Sequence, residues 1–129
     1  MGSVALKRVY EPPDPGDGTR VLVDRLWPRG IARDKARIDL WLKDIAPSGA
    51  LRKRFHAKPE SWDAFCAAYA AELEGAAAQA AAKDLHDRLR DGPVTLLYAA
   101  RDEQRNNAVA LKAWLERRPS RRGRERTRS

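Results

Sequence analysis

The chain has 129 residues, 43% of them apolar and 34% charged, which fits one soluble domain with a modest core and excludes a second independent domain. No apolar run is long enough to span a bilayer, and Met1 to Tyr10 carries Lys7 and Arg8 where a signal peptide needs a long apolar stretch, so a cytoplasmic protein with no membrane partner is expected. Cys66 is the one cysteine and His56 and His86 the two histidines, which excludes an internal disulfide, a cysteine zinc site and a histidine cluster; neither a metal nor another cofactor is expected.

Charge divides the chain. The formal balance is +8, yet Arg117 to Ser129 holds seven arginines against Glu125, while the preceding 116 residues hold 19 basic and 17 acidic side chains. The expected organisation is therefore a domain over residues 1–116 and a basic tail over 117–129. That tail has no apolar residue to anchor it and is expected to be disordered. Its charge suits nonspecific phosphate contacts with nucleic acid, or simply solubility.

In chain order, Val4 to Tyr10 alternates apolar and basic residues and predicts a short strand, and Glu11 to Thr19, with two adjacent prolines and two glycines, predicts a turn-rich loop. Arg20 to Leu26 predicts a strand, and the run Val21, Leu22, Val23 suits one covered on both faces. Trp27, Pro28, Arg29 and Gly30 end it. Ile31 to Ile45 predicts mixed structure. Ser48, after Pro47, is the expected cap of a helix containing Leu51 and Phe55.

Pro59 suits the first turn of a further helix, with Glu60 and Asp63 near its positive end and Trp62, Phe65, Tyr69 and Leu73 on one face. Gly75 separates it from a helix over Ala76 to Arg90, stopped by Asp91, Gly92 and Pro93. Val94 to Tyr98 predicts a second buried strand, and Asp102 is the expected cap of a last helix reaching about Arg117, with Ala108, Leu111 and Leu115 on one face and Trp114 beside them. Apolar strands separated by helices predict an α/β fold, a single domain with a small, mainly parallel sheet and packed helices.

Ligands of parallel sheets bind beyond the strands' carboxyl ends. The residues there are Asp24, Arg25, Trp27 and Arg29 after one strand and Arg101, Asp102, Asn106 and Asn107 after the other. Were these strands parallel neighbours, Arg25 or Arg29 would approach Arg101, and guanidinium groups brought together need an anion or a carboxylate between them. One expectation is thus a pocket for a phosphate or carboxylate ligand. The other is that Asp24 and Asp102 neutralise the arginines in structural ion pairs. Asp24 and Asp102 acting as a general acid/base pair requires one raised pKa, against which nearby arginines work. Lys43 and Ser48 are candidates for the same ligand, although Ser48 serves equally as a cap. Cys66 is expected to be an inert core thiol, His56 partly buried and His86 solvated.

The phrases GTRVLVDRLWPRG, WLKDIAPS, LRKRF, SWDAFCAAYAAEL and LLYAARDEQRNNAVAL, in that order from Val4 to Leu115, resemble the bacterial YeaO-like proteins, a family of unknown function. The resemblance implies a small cytoplasmic α/β domain without a known cofactor, and its polar positions fall on Asp24, Arg25, Trp27, Pro28, Arg29, Gly30, Lys43, Pro47, Ser48, Arg101, Asp102, Asn106 and Asn107. A more distant branch carries cysteine and histidine near the end of its last strand, where this chain has Tyr98, Ala99 and Ala100, so thiol or metal chemistry is not carried over. The leading functional expectation is a protein binding a small anionic ligand at the strand carboxyl edge, whether or not it is an enzyme. The runner-up is nucleic-acid association through the tail. A third is a partner-binding module with an exposed apolar patch round Trp41, Trp62 or Trp114.

Overall fold

Every strand pairing among the described residues is parallel. The computed structural model describes residues 3–117, so the expected basic tail lies outside the described residues apart from Arg117. β1 (Val4–Arg8), β2 (Thr19–Leu22), β3 (Leu40–Trp41) and β4 (Val94–Tyr98) form one sheet in the order β1-β4-β2-β3. The strand expected to be central, β2, is interior, as is β4. Between them run α1 (Arg33–Ala36), α2 (Gly49–Ala57), α3 (Trp62–Glu72) and α4 (Ala76–Asp91), and α5 (Asn107–Arg117) follows β4. No helix among the described residues is long and apolar enough to cross a membrane.

Strand alternation gives the sheet two different faces. On one, Val21, Val23, Val94, Leu96 and Tyr98 meet Tyr69, Leu73, Leu85 and Leu111 from α3, α4 and α5 in the main core. Each such fully buried aliphatic side chain stabilises the fold by about 1.5–3 kcal/mol. On the other face, Val9, Leu22 and Leu97 lie beneath Trp27, Ile31, Ile38 and Trp41.

That second face also carries charge. A parallel crossover normally takes a dozen or more residues and a helix; here residues 9–18, with a single 3-10 turn at Pro15–Asp17, carry the chain from β1 past β4 to β2. The strap is pinned through Asp17. Its carboxylate accepts from Lys7 Nζ at 3.1 Å and Arg20 Nη1 at 2.6 Å, and its carbonyl accepts from Thr95 Oγ1 at 2.8 Å. Arg20 and Thr95, side by side on β2 and β4, are both buried.

Several elements are shorter or later than the sequence predicts, each for a local reason. β2 stops at Leu22 rather than Leu26: Val23 N–H still donates to Leu97 O, but the next donor on β4, Ala99 N–H, takes the Asp24 side chain instead of a backbone carbonyl. β1 stops at Arg8 rather than Tyr10, because Glu11 N–H turns back to Arg8 O. Pro59 and Glu60 precede α3, since Ser61 N–H and Oγ–H both close a turn onto Lys58 O. α5 is capped by Asn106, whose Oδ1 accepts from Val109 N–H at 2.9 Å, and not by Asp102. The mixed 31–45 segment resolves into α1, β3 and a 3-10 turn at Lys43–Ile45. His56 is exposed and His86 half-buried, the reverse of expectation, and burial followed by the Arg90 charge holds the His86 imidazole below its ordinary pKa.

Candidate functional site: the carboxyl edge of the sheet

Asp24 leaves β2 where the ladder ends and takes its place. Its Oδ2 accepts from Ala99 N–H at 2.9 Å, its Oδ1 from Asn107 Nδ2 at 3.1 Å, and its carbonyl from Trp41 Nε1 at 2.7 Å. Asn107, in the first turn of α5, also donates to Val23 O at 3.0 Å. One carboxylate thus ties the ends of β2 and β4 to the start of α5.

The neighbours are held with equal economy. Arg25 donates from Nε to Pro47 O at 3.3 Å and from Nη2 to Ala46 O at 3.0 Å, so its partners are carbonyls ahead of α2 rather than Asp24 or Asp102. Ser48 caps α2 through Oγ, which accepts from Leu51 N–H, and its own N–H and hydroxyl donate to Glu72 at 2.8 and 2.6 Å. Trp27 Nε1 closes the WPRG turn onto Ile31 O at 2.8 Å, and its ring meets Trp41 edge-on at 5.3 Å. Lys43 Nζ lies 4.3 Å from the Trp41 ring centroid, a cation–π contact.

Asp102 and Asn106 form a second capped turn. Asp102 Oδ1 accepts from Gln104 and Arg105 N–H at 2.9 and 3.0 Å, and its carbonyl accepts from Asn106 Nδ2 at 2.8 Å. Neither Asp24 nor Asp102 makes an ion pair with an arginine among the described residues, so the structural ion pairs anticipated from the sequence are replaced by hydrogen bonds from backbone amides and, at Asp24, from the Asn107 side chain.

Arg29 and Arg101 are exposed. A unit the sequence reading passed over, Arg8 with Tyr10, stands beside both. Tyr10 Oη donates to Arg29 O at 3.2 Å, Arg8 donates to Ala99 O and Ala100 O at 3.1 and 2.9 Å, and the Arg8 guanidinium lies 5.0 Å from the Tyr10 ring centroid. The polar edge therefore falls into three places: Asp24 with Asn107, Arg25 with the segment before α2, and Arg29 with the Arg101 neighbourhood round Arg8 and Tyr10. Glu72 was also missed. A signal for Arg8 and Tyr10 existed, an arginine and a tyrosine two apart at the end of a parallel strand, but Glu72 reaches Ser48 from a distant helix.

Two hollows lie away from Arg29 and Arg101. A cleft of about 380 Å³ is lined by Arg25, Asp44, Glu72 and the start of α4. A groove of about 300 Å³ runs between α3 and α5 past Trp62, Cys66 and Trp114. Burial and the Asp63 charge push the Cys66 thiol up, away from the reactive thiolate. Trp114 is buried and Trp41 and Trp62 are half-buried, so the large apolar side chains that reach solvent are Leu26 and Tyr10 instead. Among the described residues no three His, Cys, Asp or Glu side chains are grouped as a metal site needs.

The two aspartates titrate in opposite directions. Hydrogen bonds from the Gln104 and Arg105 amides hold Asp102 below the ordinary carboxyl value. Burial raises Asp24, outweighing the Asn107 and Ala99 hydrogen bonds and the Arg52 charge, so nearby arginines do not decide it as the sequence suggested. A carboxyl raised on folding stabilises the folded state fully below its unfolded value of 3.8, and that contribution is lost as pH rises through the folded pKa. Denaturant unfolding of the wild type and Asp24→Asn between about pH 3 and 7 is expected to show the wild type losing stability relative to the variant as pH rises. A difference flat in pH overturns the burial-driven shift.

A family model described as "Inactive DUF488-N3 subclade" matches residues 3–129. The chain is 43% identical over 113 residues to the uncharacterised protein YeaO of Escherichia coli, covering 88% of this chain and 96% of the relative. It is 46% identical over 108 residues to the uncharacterised proteins Mb3100c of Mycobacterium bovis and Rv3073c of Mycobacterium tuberculosis, covering 84% of this chain and 89% of each relative. No solved structure gives a significant match. With that coverage and the parallel α/β fold, the chain belongs to the YeaO-like family of unknown function, within the inactive DUF488-N3 subclade.

Proposed function

We propose that this chain is a non-catalytic binding protein that holds a small phosphate- or carboxylate-bearing ligand on the open carboxyl edge of its sheet. The carrying observation is the Arg8–Tyr10 unit, which fixes the Arg29 backbone on one side and the Ala99–Ala100 carbonyls just before Arg101 on the other, with the Arg29 and Arg101 side chains exposed. Two guanidinium groups carried on anchored backbone suit an anion, because the turns that present them are already ordered. Binding is favoured over catalysis because Asp24, Ser48 and Asp102 already serve backbone groups, and because the family is described as inactive. The competing reading, nucleic-acid association through Arg117 to Ser129, rests on charge alone in a segment almost wholly outside the described residues.

Titration of the full chain with inorganic pyrophosphate, followed by backbone amide NMR shifts, tests the proposal. Shifts are expected at Gly30, Arg101 and Asp102. Replacing Arg29 and Arg101 together by glutamine is expected to weaken the affinity by roughly tenfold or more, the equivalent of one charge-assisted hydrogen bond. Shifts centred elsewhere, or an unchanged affinity in the double variant, overturn it.

A further inference from the structure

The charge on α2 is unlike that on α4. α4 balances its cations with acids on its own surface: Lys83 with Asp87, Arg88 with Asp84, and Arg90 with Asp87. α2 and its C-cap carry Arg52, Lys53, Arg54 and Lys58 together with His56, and α2 itself contains no acidic residue. All five are exposed, and among the described residues no carboxylate lies within ion-pair distance of any of the four cations.

The arrangement follows from the helix. Leu51 is buried and Phe55 half-buried, four residues apart, and these two turn α2 toward the core. At 100° per residue Lys53 then points almost straight outward, with Arg52 and Arg54 on either flank. Arg54, His56 and Lys58 gain from the negative end of the helix dipole, but Arg52 and Lys53 lie too far from it to be explained that way. Arg52 feels the half-buried Asp24 at a distance, whereas among the described residues no carboxylate pairs with Lys53, Arg54 or Lys58.

We propose that the outward face of α2 docks on the phosphate backbone of a nucleic-acid duplex. Arg52, Lys53 and Arg54 lie on this face and Lys58 sits at the C-cap beyond its end; from Arg52 to Lys58 the chain rises through about 9 Å of helix, and a duplex strand offers one phosphate per ~3.4 Å of axis, so these cations span two or three neighbouring phosphates. The face presents no phenylalanine, tyrosine or tryptophan, Phe55 being turned to the core, and beside the cations it offers only the small His56 ring, whereas single strands are gripped by stacking successive bases on aromatic rings. Its exposed apolar side chains are only the small Ala50 and Ala57, with nothing large to enter a bilayer, which separates it from a membrane-surface helix. The arginines beyond Arg117 add cations of the same kind and likewise no aromatic residue. Contacts to the backbone alone make the binding insensitive to base sequence. This inference does not rest on the anion site at the carboxyl edge, which uses different residues.

The test uses the full chain, a fluorescently labelled DNA duplex, and fluorescence anisotropy over a range of salt concentrations. Binding is expected to weaken steeply with salt. In the variant Lys53→Gln/Arg54→Gln/Lys58→Gln, which keeps Arg52, affinity at low salt is expected to fall at least tenfold, and the log–log salt slope to become shallower by about 0.9–1.8, or about 0.9 for each of the one or two phosphate contacts removed. Circular dichroism should show an unchanged melt, since all three side chains are exposed; if the triple variant melts early, Lys53→Glu alone is read instead, with a fall in affinity expected. Absence of duplex binding by the wild type overturns the proposal. So does an unchanged salt slope in the variant, which assigns binding to the tail, or tighter binding to single-stranded DNA or to phosphatidylserine vesicles than to the duplex.

Discussion

Replacing Arg20 by methionine is expected to destabilise the fold by about 3–5 kcal/mol, the range for breaking a buried ion pair from one side. The Arg20 side chain is 4% exposed. Besides its 2.6 Å bond to Asp17, it donates from Nε to Arg37 O at 3.1 Å and from Nη2 to Ala36 O at 2.9 Å, so it also satisfies the last carbonyls round α1. Arg37 itself sits in the left-handed region at φ 52, and the Arg20 bond to its carbonyl helps hold that turn. Methionine would fill much of the volume but leave Asp17 with Lys7 as its one cation, and two carbonyls without a donor. A thermal melt should fall by something on the order of 10–20 °C. Adding Asp17→Asn to Arg20→Met is expected to recover part of the loss, because the stranded charge goes.

The acid limb of the same network gives an independent check. Burial opposes the Asp17 charge, but the Lys7, Asp14 and Arg20 hydrogen bonds outweigh it and hold the carboxyl below its ordinary value. A depressed carboxyl contributes stability that is present above its unfolded pKa and lost as pH falls through the folded one. Arg20→Met weakens that depression, so the variant should lose less stability than the wild type on going into acid. An Arg20→Met protein that melts within a few degrees of the wild type at neutral pH would show that the pair is dispensable.

The contrast between these two strongholds and the residues singled out from sequence explains what was legible. Apolar runs such as Val94–Tyr98 and i, i+4 stripes such as Phe65 with Tyr69 state their burial in their own composition, so the parallel sheet and the helices behind it could be read directly. Buried charge has no such signature. Arg20 looks like any solvated arginine at the start of a strand, and Asp17 like a turn residue, until the strap brings them together over β4. β3, with two paired residues, is too short for any periodicity to mark it. The α5 cap was misplaced because Asp102 and Asn106 are both competent caps four residues apart, and what decides between them is the tertiary bond from Asn107 to Asp24. At the candidate site, the residue types after the strands were legible, whereas the anchoring by Arg8 and Tyr10 depends on how residues 9–18 and 27–30 fold against each other.

Gly18→Ala should be the most damaging alanine substitution among the described glycines, because it strikes the point where that strap joins the sheet. Gly18 has φ +66, and a Cβ built there would lie 2.1 Å from Pro93 O and 2.8 Å from Pro93 C. That carbonyl cannot retreat freely, since it accepts the 3.0 Å bond from Thr19 N–H that joins the start of β2 to β4. Relief requires pulling apart the first rung of the two interior strands or swinging the strap that carries Asp17, and either adds to the strain of an alanine at positive φ. A loss of about 3 kcal/mol or more is expected, in the range reserved for backbone strain combined with a core clash. Gly30→Ala is the matched control, for it too has positive φ, +73, but open space where the Cβ would go. It should cost only the left-handed penalty of about 1–2 kcal/mol. Urea unfolding of both variants separates the two contributions: a Gly18→Ala protein no less stable than Gly30→Ala would mean that the strap can yield at this crossing, and a large gap between them locates the tightest constraint of the fold at the Gly18–Pro93 contact.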